Sequence, residues 1–190
     1  MVSRRSLLTF LAGAAASLAF AGLGGLAYVE TGAFNVAAAR PHSPLVAWAT
    51  KTMMVRSVKL RARGIAAPAR FSTAQVQAGF RDYDAHCVTC HGAPAIGARE
   101  ASADGMTPVP PYLVDAAKLW SPAELYWIIR NGVKMTGMPA WDRERSPAET
   151  WSLVAFLEAL PKMPPTAYAQ MRETERTTDG VSARSTAKMP

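Results

Sequence analysis

Cysteine occurs twice in the 190 residues, and a histidine directly follows the second, giving Cys87-Val88-Thr89-Cys90-His91. Two thioether bonds to neighbouring vinyl groups of one porphyrin require sulfurs on the same side of a short turn. This spacing supplies them, and it carries the next residue under the iron as its proximal ligand. The pentapeptide thus points to covalent haem attachment through Cys87 and Cys90, with His91 on the metal. A redox dithiol, half of a zinc site or a disulfide would also use a cysteine pair. A thioredoxin-type dithiol sits in a βαβ setting, whereas the flanks here read as a helix and then a loop rich in proline and glycine. A structural zinc site wants four ligands, and only His86, His91 and distant His42 could join the two sulfurs.

A second iron ligand is offered by Lys134-Met135-Thr136-Gly137-Met138-Pro139-Ala140-Trp141. The thioether of methionine is a neutral, soft donor that favours the ferrous state, so a His/Met pair raises the reduction potential and fills both axial positions. Gly137 and Pro139 read as a fixed loop presenting Met138. Packing is the usual fate of a methionine, and Met106 and Met135 compete for the same role.

These residues need a scaffold, and its helix starts are written locally. Phe71-Ser72-Thr73-Ala74-Gln75-Val76 carries a capping box (Ser72, Gln75) and a staple (Phe71, Val76). The helix it opens runs into the haem motif, with Val76, Gly79, Phe80 and Tyr83 stepping along one face. Gly79 costs a helix about 1 kcal/mol relative to alanine, which calls for a close crossing by another helix. After His91 the chain is too broken by Gly92, Pro94, Gly97, Gly105, Pro108, Pro110 and Pro111 for helix or central strand. A haem would supply the apolar surface for such a loop to wrap. Ser121-Pro122-Ala123-Glu124 and Ser146-Pro147-Ala148-Glu149 open two further helices in the same way. The second of these bears Trp151, Leu153, Val154, Phe156, Leu157 and Leu160, and is the natural partner for Gly79.

Together these residues resemble a class I c-type cytochrome over roughly residues 71–163. Gly79, Tyr83 and Cys87 resemble the glycine, aromatic and first haem cysteine of the family's first helix, and Leu153-Val154-Ala155-Phe156-Leu157 resembles the aromatic-bearing last helix that crosses it. Cys90 and His91 complete the attachment motif. Pro111-Tyr112-Leu113 resembles the Pro-x-Leu whose proline carbonyl holds the proximal histidine, although Pro110 stands next to Pro111 as an alternative. Gly137-Met138-Pro139 resembles the distal methionine loop, and Trp141 falls where the family often has an aromatic near the haem edge. The resemblance implies an all-α cytochrome c fold of a few helices around one covalent haem c, ligated by His91 and Met138. It also implies export, since attachment needs reduced thiols in a compartment outside the cytoplasm.

Outside that domain the chain is uneven. Residues 6–29 form 24 positions without a charge, preceded by Arg4 and Arg5. They are long enough to cross a bilayer, although small residues around 19–21 and 25–27 leave a cleavable export signal open. Arginines before the span mark the cytoplasmic end. Residues 1–70 carry nine Lys or Arg against one acid, while residues 71–163 carry eight against ten. The net charge of +7 thus belongs to the N-terminal segment and not to a nucleic-acid surface. The expected organisation is an anchor or signal segment (1–29), a basic linker (30–70) in which 45–60 can form a helix, the haem domain (71–163) and a polar, disordered tail (164–190). A basic amphipathic helix against anionic lipid or an acidic partner and a solvated helix packed on the haem domain both fit residues 45–60.

The expected function is one-electron transfer between redox proteins, a dehydrogenase donor and an oxidase or other acceptor, at the outer face of the cytoplasmic membrane or, after cleavage, in the periplasm. The chain would act alone or as a cytochrome subunit of a larger complex. The alternative is a haem enzyme or gas sensor in which the distal position is open.

Overall fold

The computed structural model describes residues 3–97 and 99–186. In chain order its helices are α1 (Arg4–Glu30), α2 (Pro44–Ala62), α3 (Thr73–His86), α4 (Val88–His91), α5 (Ala101–Asp104), α6 (Leu113–Ala116), α7 (Pro122–Asn131), α8 (Pro147–Ala159) and α9 (Pro165–Thr186). No strand occurs among the described residues; an isolated bridge joins Ala93 and Gly97. The fold is all-α, as expected. The chain divides into two units, residues 1–40 and residues 41–190.

The longer core helices start where local chemistry requires. Ser72, Ser121 and Ser146 each accept from the backbone N–H three residues on, and Gln75, Glu124 and Glu149 each reach back to the cap N–H, so all three capping boxes close. Proline in the first turn of α7 and α8 adds a preset φ where no donor is needed.

Helix α8 crosses α3 at Gly79. A Cβ on Gly79 would overlap the Ser152 carbonyl oxygen and come within 2.9 Å of the Phe156 Cβ. The close approach lets aromatic rings meet: Phe80 lies 5.7 Å from Phe156 and 5.2 Å from Tyr168, and Tyr83 lies 5.0 Å from Phe156. Phe80, Tyr83, Phe156 and Tyr168 are all buried, with Leu125, Leu153, Val154 and Leu160 around them. Helix α7 closes another side of this core and also receives α2, whose Val58 and Ala62 are buried. Residues 44–62 therefore pack, as a helix, within the unit of residues 41–190.

The expectation of a disordered tail fails for residues 165–186, which form α9; residues 187–190 lie outside the described part. The segment is polar on average, and the average hides one anchor. Tyr168 is fully buried, donates its hydroxyl to Asp84 (2.7 Å), and is joined at that carboxylate by Arg172 (3.0 Å). Burying one such ring stabilises by roughly 2–3 kcal/mol, which seats the first turns of α9 on α3.

Candidate haem site

The site is built at the end of α3. The N–H of Cys87 still bonds to Tyr83 O (2.9 Å), and the next turn closes through Cys90 N to Cys87 O (3.1 Å) and His91 N to Cys87 O (2.9 Å). Cys87 and Cys90 therefore stand three residues apart on one helical turn, on one side of it. Burial pushes the Cys87 thiol up to about 12, the opposite of the lowered pKa that a reactive dithiol uses. Joining that sulfur in a thioether suits its apolar setting.

Beyond His91 the chain must reverse. Gly92 has φ +66°, and a Cβ there would come within 2.6 Å of the Gly97 carbonyl and 2.8 Å of the Tyr112 ring, so only glycine fits. Its own carbonyl accepts from the buried Tyr83 hydroxyl at 2.6 Å. The reversal brings His91 Nδ1 within 2.8 Å of Pro111 O. A carbonyl can only accept, so Nδ1 carries the proton and Nε2 keeps its lone pair for a metal. Of the two adjacent prolines, Pro111 is the one that holds the ring. Burial lowers the His91 pKa, which favours the neutral imidazole that ligation requires.

The methionine loop is fixed by its backbone. Val133 N donates to Met138 O (3.2 Å), Met138 N donates to Thr136 Oγ1 (3.1 Å), and Thr136 Oγ1 donates to Val133 O (2.7 Å). Gly132, at φ +62°, packs so closely that a Cβ would lie 2.7 Å from Met138 O. Met138 is half-buried, Met135 is 93 % exposed, and Met106 places its sulfur 2.7 Å from where a Gly137 Cβ would stand.

A haem fits these residues on a further count. Arg99 donates Nη1 to Asp104 (2.8 Å), but its buried Nε has no partner among the described residues. A buried donor left unpaired costs about 1–3 kcal/mol. Arg99 also acts electrostatically on His91, so an anionic acceptor beside the histidine, such as a porphyrin carboxylate, would satisfy it.

Comparison with known proteins bears on the same stretch. Residues 74–157 match the family model described as cytochrome c oxidase, cbb3-type, subunit III. These are mono-haem c-type cytochrome residues. Among solved structures, the c-type cytochrome XoxG from Methylobacterium extorquens AM1 is 24 % identical over 52 % of this chain and 66 % of that one, with a TM-score of 0.36. The match thus spans just under two-thirds of that protein. No curated protein matches. A cytochrome c domain of this kind implies one covalently bound haem c with its iron.

Two features of the cytochrome domain were not visible in its sequence. Arg145, 8 % exposed, makes a two-pronged ion pair with Asp82 through Nε and Nη2, and its guanidinium lies 3.9 Å over the Trp141 ring. Trp141 also meets the His86 ring edge-on at 5.9 Å. Asp82 and Arg145 are 63 residues apart, and no local pattern pairs them. The second feature is the Tyr83 hydroxyl. Its periodicity marks a core ring, whereas its bond to Gly92 O depends on a turn that the helix pattern does not encode. Tyr83→Phe should leave that carbonyl buried and unpaired, costing about 1–3 kcal/mol. Thermal melting of the haem-loaded variant by circular dichroism should show a midpoint about 3–10 °C lower. An unchanged midpoint would mean that the bond contributes nothing.

Proposed function

We propose that the chain is a membrane-anchored one-electron carrier, with haem fixed through Cys87 and Cys90 and ligated by His91 and Met138, working between a dehydrogenase donor and an oxidase acceptor outside the cytoplasm. When bound, the haem iron supplies the one-electron chemistry by cycling between ferric and ferrous states. The chain's part is to hold its donors still. The observation that carries the reading is the His91 Nδ1 bond to Pro111 O at 2.8 Å, because a ring fixed in tautomer and orientation is a preset metal ligand. Met138 is favoured over Met135 because the latter points into solvent. Its backbone is also clamped by three hydrogen bonds within residues 133–138. Ligands held in this way change little between oxidation states.

The membrane part of the proposal rests on α1. Its 27 residues span about 40 Å at 1.5 Å per residue, more than the ~30 Å hydrocarbon core, and none of them is buried. Arg4 and Arg5 are its first two residues, ahead of the uncharged stretch, against the single Arg40 in the 15 residues after Glu30, which orients the N-terminus inward. The matching family is described as an oxidase subunit, which supports an oxidase as acceptor or as host complex.

The test is spectroscopic. Protein made in a host able to attach haem c should be coloured, keep its pigment in acidified organic solvent, and give a low-spin reduced spectrum unchanged by carbon monoxide at neutral pH. Extractable pigment would remove the covalent attachment. Ready carbon monoxide binding would favour an enzyme or sensor with an open distal position.

A further inference from the structure

From residue 31 to residue 81 the chain contains no acid and eight Lys or Arg. Helix α2 lies inside this stretch. It spends one face on α7, where Val58 and Ala62 are buried. More than a quarter-turn away, a second face presents Met53 and Leu60, which are 62 % and 57 % exposed. Arg56, Lys59 and Arg63 are interleaved with them and also exposed. The spacing 53, 56, 60, 63 is a single helical row, with 59 beside it. A helix face that merely meets water usually carries both signs of charge in i, i+4 pairs. None of these three cations has an acidic partner among the described residues. Large apolar side chains between unpaired cations are the composition of a surface that lies in a lipid headgroup layer.

We infer that the exposed face of α2 is a second membrane contact, seating the cytochrome domain on anionic lipid headgroups. The inference adds to the anchor reading. Only 13 residues separate Glu30 from Pro44, so the start of α2 lies within about 45 Å of the end of α1. If α1 spans the bilayer, α2 meets lipid at a high effective concentration. Each basic side chain near an anionic surface is worth roughly a factor of five in partitioning.

Site-directed spin labels test this on the full, haem-loaded chain, where thioether formation leaves an introduced cysteine as the free thiol. Labels at Met53→Cys and Leu60→Cys report on α2, one at Ala14→Cys reports on α1, and one at Glu158→Cys, exposed on α8, serves as a water-facing control. The samples are nanodiscs of phosphatidylcholine alone or with added phosphatidylglycerol. The α2 labels should lose access to a water-soluble nickel reagent and gain access to oxygen only in the anionic discs, with the control unchanged. Changing Arg56, Lys59 and Arg63 together to glutamine should weaken this docking roughly a hundredfold. Labels that stay water-exposed in both lipids overturn the inference and leave an acidic protein surface as the partner. Equal protection in both overturns the role of the cations. The α1 label reads separately: if it faces water, the anchor proposal fails, while the α2 labels still decide this one.

Discussion

Met138→Ala should yield a coloured, folded protein whose reduced form is high-spin, binds carbon monoxide at neutral pH and has a midpoint potential lower by ~0.2 V, a fraction of the ~0.8 V that axial ligation covers. The fold should survive because the loop is held by main-chain atoms. Val133 N on Met138 O and the Thr136 hydroxyl between Met138 N and Val133 O remain after the side chain is cut. Losing a soft neutral donor removes the preference for the ferrous state, which lowers the potential. Met135→Ala should change neither spectrum nor potential, because that side chain is 93 % exposed. Met106→Ala is the informative rival, since its sulfur packs against Gly137, next to Met138. If Met106→Ala opened the site to carbon monoxide and Met138→Ala did not, the distal ligand would be Met106, and the motif in residues 137–139 would be mere packing.

What could be read from the sequence follows from the range of the interactions. The Cys87 to His91 turn and the three capping boxes are each complete within five residues, so the local chain states them outright. The crossing at Gly79 was also legible. A glycine in an otherwise good helix has a cost that only close approach repays, and α8 offered an apolar surface to meet it. Specific polar pairings between distant segments were not legible. Asp82 finds Arg145 and Asp84 finds Tyr168 only after α3, α8 and α9 have met. For α9 the composition misled, because one fully buried tyrosine outweighs a polar average. For α2 the imperfect apolar spacing had a physical cause: one set of apolar residues faces α7 and another faces away, so the two blur into no single stripe.

The same distinction separates the site's chemistry from its support. Cys87, Cys90 and His91 could be proposed from the sequence because haem chemistry restricts residue type and spacing. Arg99 could not, because its evidence is an unpaired buried nitrogen, which exists only in three dimensions. Tyr83 lies between these cases, with its ring predicted by periodicity and its hydroxyl explained only by the turn at Gly92.

Gly79→Ala is expected to have the largest effect on stability, even though alanine is the better helix former by about 1 kcal/mol. The new methyl group would occupy the position of the Ser152 carbonyl oxygen and press on the Phe156 Cβ. The obstructing atom belongs to the backbone, so no rotamer change relieves it and no side-chain substitution at Ser152 can rescue it. Helices α3 and α8 would have to separate, loosening the contacts among Phe80, Tyr83, Phe156 and Tyr168 that form the centre of the core. Overpacking against a yielding side chain costs about 1–3 kcal/mol. Against a fixed carbonyl the net loss should reach about 3–5 kcal/mol, a large share of the ~5–15 kcal/mol that holds a domain together. Haem-stained gels should show little mature cytochrome from Gly79→Ala and normal amounts from Gln77→Ala, an exposed position on the same helix. A Gly79→Ala holoprotein that accumulates and melts like the parent would mean that the α3–α8 crossing is looser than these contacts require. The orientation of Cys87, carried at the end of α3, would then need another explanation.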